Sequence, residues 1–204
     1  MGASYDKSVF INCPFDDAYK RIFDALVFAV HDAGFFARSS REVGGASIRF
    51  STIFTIIAEC KYGIHDLSRT QVSKKSRLPR FNMPLELGVD LGCQAFGQAN
   101  HRLKSCLILD RVPYRYQKFV SDLAGVDIST HRNRPGDAIG AVRDWLATES
   151  GIRGIPGKSA MAERYVKFRK DVPDMCKRLK TSVKDLTFKE FRALVDDWIA
   201  NLPA

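Results

Sequence analysis

The sequence lacks the features that would direct it to a membrane or an oxidising compartment. No apolar run approaches the ~18 residues needed to cross a bilayer, and Met1–Ser8 has no basic stretch followed by an apolar one. The 5 cysteines are odd in number and none has CxxC spacing. We therefore expect no membrane span, no disulfide framework, no structural zinc and a cytoplasmic location.

Acidic residues are comparatively few. The chain has 32 Lys and Arg against 23 Asp and Glu, which gives a net charge of +9. A positive field attracts anions such as nucleotides and nucleic acids, although basic residues also simply keep a surface soluble. Residues 151–204 are the most basic part for their length, with 12 basic and 7 acidic side chains.

Apolar strands and amphipathic helices alternate along residues 1–150. The predicted strands are 8–12, 35–38, 62–67, 103–109 and 126–129. The predicted helices are 18–33, one capped by Ser51, one from Asn82 to about Phe96, 116–123 and 137–148. This alternation indicates a parallel sheet covered by helices on both faces. We predict an α/β, flavodoxin-like, doubly wound five-stranded sheet of order 2-1-3-4-5.

The last quarter of the chain differs in character. Gly151–Gly157 reads as a linker, so we divide the chain into an α/β domain, 1–150, and a basic helical extension, 151–204. Within the extension, Thr187 begins a capping-box pattern, and Pro173 predicts a division of the preceding helix. The extension could bind nucleic acid through phosphate contacts, or pack on the sheet domain or on another subunit.

Polar residues end the strands at the point where the predicted strand order reverses, which is where open parallel sheets bind ligands. Strand one ends at Asn12 and strand three at Asp66. Asn82 and Pro84 predict the N-cap and first turn of the next helix, and Glu86 follows one turn later. We expect Asn12, Asp66, Asn82 and Glu86 to face one pocket, where two carboxylates suit chemistry at a sugar anomeric carbon. Alone, either acid could be structural.

Three segments resemble the nucleoside 2-deoxyribosyltransferase-like and TIR-like superfamily of flavodoxin-like proteins. They are Val9-Phe-Ile-Asn-Cys-Pro-Phe15, Tyr62-Gly-Ile-His-Asp-Leu-Ser-Arg69 and Arg80-Phe-Asn-Met-Pro-Leu-Glu-Leu-Gly88. The resemblance covers roughly residues 8–130. It implies an N-glycosidase or ribosyltransferase acting on a nucleoside, nucleotide or NAD, without a metal or a separate cofactor.

The resemblance also implies roles for individual residues. Glu86 matches the nucleophilic or oxocarbenium-stabilising glutamate, and Asp66 the substrate-orienting aspartate. Asn82 heads the glutamate helix, while Asn12 and Pro14 match the turn beneath the sugar. Relatives in bacterial immune systems include effectors and nucleotide sensors. A defence effector and a non-catalytic module that binds a nucleotide signal are therefore both implied.

Four further residues near these strand ends are candidate substrate contacts. Cys13 lies beside the expected pocket, but no histidine is locally paired with it, so a buried structural thiol is the alternative. Strand alternation points His65 to the sheet face opposite that of its neighbour, where it is an acid–base candidate or a packed histidine. Tyr19 could line a base pocket or belong to the core. Arg69 begins a basic loop and could contact a phosphate.

Other arginines surround the same strand ends. Arg38 ends the predicted second strand and Arg41 follows it, and Arg77 and Arg80 lie in the basic loop before the glutamate helix. These side chains could clamp a phosphate or remain solvated on a flexible surface. The expected partners are thus a nucleoside, nucleotide or NAD substrate, with a homo-oligomer and nucleic acid as further candidates.

Overall fold

The computed structural model describes residues 4–42, 49–70, 80–118, 120 and 128–203. Its five strands form one all-parallel sheet in the order β2-β1-β3-β4-β5, which confirms the predicted flavodoxin-like arrangement. The strands are β1 (Ser8–Asn12), β2 (Phe36–Arg38), β3 (Tyr62–Asp66), β4 (Ser105–Asp110) and β5 (Ser129–Thr130). The helices are α1 (Lys20–Asp32), α2 (Arg49–Ala58), α3 (Asn82–Phe96), α4 (Pro135–Ser150), α5 (Lys158–Arg178) and α6 (Phe188–Ala200).

Helices cover the two faces of the sheet unequally. α1, α4, α5 and α6 share one large hydrophobic cluster on the first face, which we call the α1 face. α2 and α3 cover the second, the α3 face, over two small clusters. Alternation along β1 assigns the side chains, because Val9 and Ile11 join the α1-face cluster while Phe10 packs with Ile57 of α2.

The C-terminal helices complete the α1 face. Phe168 of α5 lies with its ring centroid 5.3 Å from Phe28 of α1, 5.8 Å from Phe191 and 5.7 Å from Trp198 of α6. In the segment between α4 and α5, the side chain of Ile155 is buried. None of the described helices is long and apolar enough to cross a membrane.

α5 runs without interruption from Lys158 to Arg178, so the prediction that Pro173 divides it is wrong. A proline inside a helix costs about 3 kcal/mol, because it removes one backbone hydrogen bond and crowds the preceding turn. Val172 and Cys176, on either side of Pro173, are both buried in the α1-face cluster. Burial of this stripe offsets the cost of the proline.

The helix starts follow prediction in one case and not in two others. Ser51 lies inside α2 rather than before it. Asn82 is the first residue of α3, and its N-cap is Phe81, which makes no side-chain cap bond. The predicted capping box is present, with the Glu190 backbone N–H donating to Thr187 Oγ1 over 3.3 Å. The predicted helix 116–123 and strand 126–129 lie partly outside the described residues.

Candidate functional site

A cavity of about 600 Å³ lies at the carboxyl end of β1, between α2 and the start of α3. Parallel α/β sheets place their ligand sites at this edge. The residues lining it come from the turn after β1, from the chain after β2, and from the two helices. They are Asn12, Cys13, Pro14, Phe15, Ser40, Phe50, Ile53, Arg80, Phe81, Asn82, Met83, Leu85 and Glu86.

Aromatic rings border the cavity. Phe15, Phe50 and Phe81 have 40%, 47% and 66% of their surfaces exposed. Exposed apolar rings are costly in water, and they offer faces on which a planar ligand can stack. This mixture of aromatic walls and a few polar groups is typical of small-molecule sites.

Glu86 contributes the carboxylate of the cavity. It lies one turn inside α3 and is half-buried, with Asn82 one turn earlier on the same helix. The buried Cys13 thiol lies in the field of both Glu86 and Asp66. Burial raises the pKa of this thiol well above its usual value, and the two carboxylates raise it further. Cys13 is therefore a protonated wall residue rather than a nucleophile.

Asn12 lines the cavity, but its amide nitrogen already has hydrogen-bond partners within the protein. The Nδ2 group donates to the Met83 carbonyl over 2.8 Å and lies 3.0 Å from Nδ1 of His65. Because an amide N–H₂ only donates, His65 Nδ1 is the acceptor and its Nε2 carries the proton. Asn12 thus ties β1 to the first turn of α3 and positions the helix that carries Glu86.

A buried polar network extends from Asn12 beneath α3. His65 Nε2 lies 2.9 Å from Asp90 Oδ2, and Lys104 Nζ lies 3.1 Å from the other oxygen of Asp90. Lys104 also donates to the carbonyls of Ile57, over 2.9 Å, and Cys60. Burial opposes ionisation of Asp90, but the His65 hydrogen bond and the Lys104 charge hold the pKa of its carboxyl below its usual value.

This network is better satisfied as it stands than as a metal site. Among the described residues, His65, Asp90 and Cys106 offer ligand atoms within 4.8 Å of one another. The ammonium group of Lys104, 3.1 Å from Asp90, already supplies the positive charge that a metal would bring. Gly63 leaves the space for the His65–Asp90 contact, since a Cβ at this position would lie 2.8 Å from His65 Nε2.

Asp66 lies outside the cavity and is completely buried. Its Oδ2 accepts a 2.5 Å hydrogen bond from the Tyr19 hydroxyl and lies 3.0 Å from His131 Nε2, and its Oδ1 accepts from the Ser68 backbone N–H over 2.8 Å. Burial and the neighbouring Asp66 charge raise the pKa of Tyr19 well above its usual value, so the phenol remains a donor. The expectation that Asp66 and Glu86 face one pocket is therefore not met.

Strand alternation explains the separation of the two carboxylates. Tyr62 and Ile64 of β3 point into the α1-face cluster, and Asp66 shares their parity. His65 has the opposite parity and faces α3. Because α3 covers the other face of the sheet, Glu86 lies on the side of His65, and the sheet edge stands between Glu86 and Asp66.

The predicted substrate contacts divide in the same way. Asn12, Cys13, Pro14 and Asn82 line the cavity with Glu86. Three other predicted contacts have partners away from the cavity. Tyr19 binds Asp66 and His65 lies beside Asp90, as described above, while Arg38 pairs with Glu42 over 2.9 Å and with Glu59 over 3.2 Å. Arg69 does not line the cavity, but it lies 3.5 Å from Asp16, which also pairs with the cavity-lining Arg80. Arg77 lies outside the described residues.

Two residues of the buried networks, His131 and Asp90, lie outside the three motifs although the sequence around them also marks them as candidates. His131 directly follows β5, and the rule that strand ends carry functional or structural polar groups applies to it as much as to Asp66. Asp90 lies one turn after Glu86 and is one of only two charged residues in α3. A charged residue among apolar helix residues indicates a buried partner.

The basic C-terminal helices use part of their charge internally. Arg169 of α5 lies 2.8 Å from Asp24 of α1, and Arg164 lies 3.3 Å from Asp32. These pairs accompany the packing of α5 on α1. Nucleic-acid binding through residues 151–204 stays a prediction.

Comparison with protein-family models, curated proteins and solved structures gives no significant match. The flavodoxin-like arrangement hosts many unrelated functions. Function must therefore be argued from the cavity and its residues.

Proposed function

We propose that the cavity beside β1 binds a nucleoside or nucleotide and that Glu86 acts on its N-glycosidic bond. The observation that carries this proposal is the position of Glu86, a carboxylate inside a cavity walled by exposed aromatic rings at the carboxyl edge of the sheet. The rings suit the planar base and the carboxylate suits the sugar. The motif around Glu86 also resembles that of N-glycoside-cleaving proteins.

The chemistry requires a negative charge close to the anomeric carbon. As the bond to the base lengthens, positive charge develops on the sugar ring, and a nearby carboxylate lowers the energy of that state or traps it covalently. Water then completes hydrolysis, or another acceptor completes transfer. In either role, Glu86 must be ionised and close to the reacting carbon.

The leaving base sets a further requirement. A neutral purine leaves more readily when an acid protonates it, whereas a cationic base such as the nicotinamide of NAD leaves as a neutral molecule without one. Among the described residues that line the cavity, Glu86 is the only carboxylic acid. This composition supports NAD, or another substrate with a cationic base, ahead of an ordinary nucleoside.

The test is to incubate the full chain with NAD, nucleosides and nucleoside 5′-monophosphates and to measure released base by chromatography. We expect release from at least one substrate and a loss of at least about 100-fold in Glu86→Gln, with its circular dichroism unchanged. Glu163→Gln, the same change at an exposed position on α5, is the matched control and should retain activity. Equal activity in Glu86→Gln, or no release from any substrate, would reject the glycosidase.

A non-catalytic module that binds a nucleotide signal is the second candidate. It is favoured by one observation, the enclosure of Asp66 by Tyr19 and Ser68, which withholds a second carboxylate from the cavity. This candidate predicts a ligand-dependent rise in melting temperature without product. A rise accompanied by base release would exclude it.

A further inference from the structure

We infer that the ligand of the cavity carries a phosphate group, which three arginines, Arg41, Arg69 and Arg80, hold at the cavity mouth. This inference rests on the proposed nucleoside or nucleotide site and specifies its ligand class. The site would bind a nucleotide or dinucleotide in preference to a free nucleoside.

The first observation is an excess of positive charge around a single aspartate. Arg80, which lines the cavity, lies 3.2 Å from Asp16, and Arg69 lies 3.5 Å from the other oxygen of the same carboxylate. Both guanidinium groups remain partly exposed, at 49% and 35% of the side chain. One carboxylate neutralises only one of them, so a positive charge remains for an anion.

The second observation is the position of Arg41. Its guanidinium lies 5.2 Å from the ring centre of Phe15, a wall of the cavity, and 5.6 Å from that of Phe23. Cation–π contacts hold the group in place without neutralising its charge. Among the described residues, Arg41 has no ion-pair partner, and its charge acts on the neighbouring Cys13 thiol, whose pKa it lowers against the effect of burial.

The N-terminus of α3 also supports a bound phosphate. Asn82 and Met83 line the cavity at the N-terminus of this 15-residue helix. The N-cap residue Phe81 supplies no side-chain acceptor, so the first backbone N–H groups have no side-chain cap. Together with the three arginines, the positive end of the helix dipole favours a phosphate oxygen at the mouth.

Arg38 shows why the choice of arginines matters. It is the last residue of β2, and its guanidinium pairs with both Glu42 and Glu59. Its charge is balanced within the protein. The three arginines at the mouth share only Asp16 among the described carboxylates that form ion pairs with them.

The test compares matched ligands that differ only in the phosphate. Binding of adenosine, guanosine, cytidine and uridine is measured by calorimetry beside that of their 5′-monophosphates, using the full chain. For any base that binds, we expect the monophosphate to bind at least about tenfold more tightly. This preference should fall as salt is raised.

Variants locate the phosphate contact. Arg41→Gln and Arg80→Gln should each reduce the preference for the monophosphate over the nucleoside by about fivefold to tenfold. Arg102→Gln removes one positive charge beside the amino end of β4, at the opposite edge of the sheet, and should leave this preference unchanged. Arg41, Arg80 and Arg102 are all exposed, so each variant should fold, as melting curves can verify.

The outcomes separate this inference from the proposed function. Equal binding of nucleoside and monophosphate, or a preference that survives in the Arg41→Gln/Arg80→Gln double variant, overturns the inference even if base is released. A phosphate preference without base release supports the inference and rejects only the glycosidase. If neither ligand class binds, the inference fails, whereas base release from NAD would still support the glycosidase.

Discussion

The two faces of the sheet are built differently, and the difference is greatest at the carboxyl edge. On the α1 face, which four helices cover, Asp66 is completely buried and hydrogen-bonded to Tyr19 and Ser68. On the α3 face, two helices leave Glu86 in a cavity with exposed phenylalanines. Two acidic residues near the same sheet edge therefore have different surroundings. Asp66 is enclosed by protein hydrogen-bond partners, and Glu86 lines the cavity.

Removing an aromatic ring from each face should produce the largest contrast. Phe168→Ala, on the α1 face, should lower the free energy of unfolding by about 3–5 kcal/mol, because it leaves a cavity among three other rings. Phe96→Ala, at the end of α3 where the ring is 91% exposed, should change it by less than about 0.5 kcal/mol. Urea denaturation measures both, and similar losses would contradict the contrast between the faces.

Substitution of the two carboxylates should affect different properties, stability for Asp66 and activity for Glu86. Asp66→Asn should cost about 2 kcal/mol of stability, because an amide cannot accept from both Tyr19 and the Ser68 N–H as a carboxylate does. The folded variant should retain base release. Glu86→Gln should lose base release with a stability change below about 1 kcal/mol. Loss of base release in fully folded Asp66→Asn would show that Asp66 contributes to the reaction as well as Glu86.

Two glycines near the α3 face should respond to alanine with opposite signs. Gly63→Ala should cost about 1–3 kcal/mol, because the new Cβ would overlap Asp90 and approach His65 to 2.8 Å. Gly88→Ala meets nothing within 4 Å on the exposed side of α3 and should stabilise the protein by about 0.5–1 kcal/mol. Melting temperatures test both, and a neutral Gly63→Ala would mean that the His65–Asp90 contact is loosely packed.

The smallest effect concerns pH and the α1 face. Burial raises the pKa of Asp32 to about 6 against its ordinary value of 3.8, and Arg164 only partly opposes the shift. Between these values the folded chain binds more protons than the unfolded chain, so this residue makes stability fall as pH rises from about 4 to 6.

Asp32→Asn should remove that decline and raise the melting temperature slightly at pH 7. Asp197→Asn, an exposed change on α6, should leave the pH profile as it is. The comparison requires melting curves of both variants from pH 4 to 8. If stability in Asp32→Asn still fell between pH 4 and 6, Asp32 would not be the source of the decline.

The accuracy of sequence-based prediction followed the range of the interactions involved. Alternating strands and helices were sufficient for the sheet order, and the Thr187 capping box was read from four consecutive residues. Pro173 was misjudged because its local cost is offset by burial of Val172 and Cys176 against α1 and α6, which are distant in sequence. The predicted N-cap, Asn82, lies one residue after the observed N-cap, Phe81, and the reason is again a distant contact. The α3 start is held by Asn12, from β1.

The position of the cavity was predictable from the sequence, but the set of residues around it was not. Topology indicated the carboxyl edge of β1, and Asn12, Asn82 and Glu86 do line a cavity there. Asp66 was assigned to it because strand three ends at the same edge of the sheet, although its parity matches Tyr62 rather than His65. The arginines of the mouth could not be chosen from sequence, since Arg38 and Arg41 differ only in whether a glutamate lies within reach.

Local pattern alone specifies the strands, the helices and the parallel sheet of this protein, because hydrophobic periodicity and short-range capping depend on neighbouring residues. Some polar side chains are buried with protein partners and others face the cavity. The side of the sheet that each helix covers decides between these two outcomes. That choice is made when distant elements pack, since burial and charge pairing are decided by partners that the chain brings together only on folding.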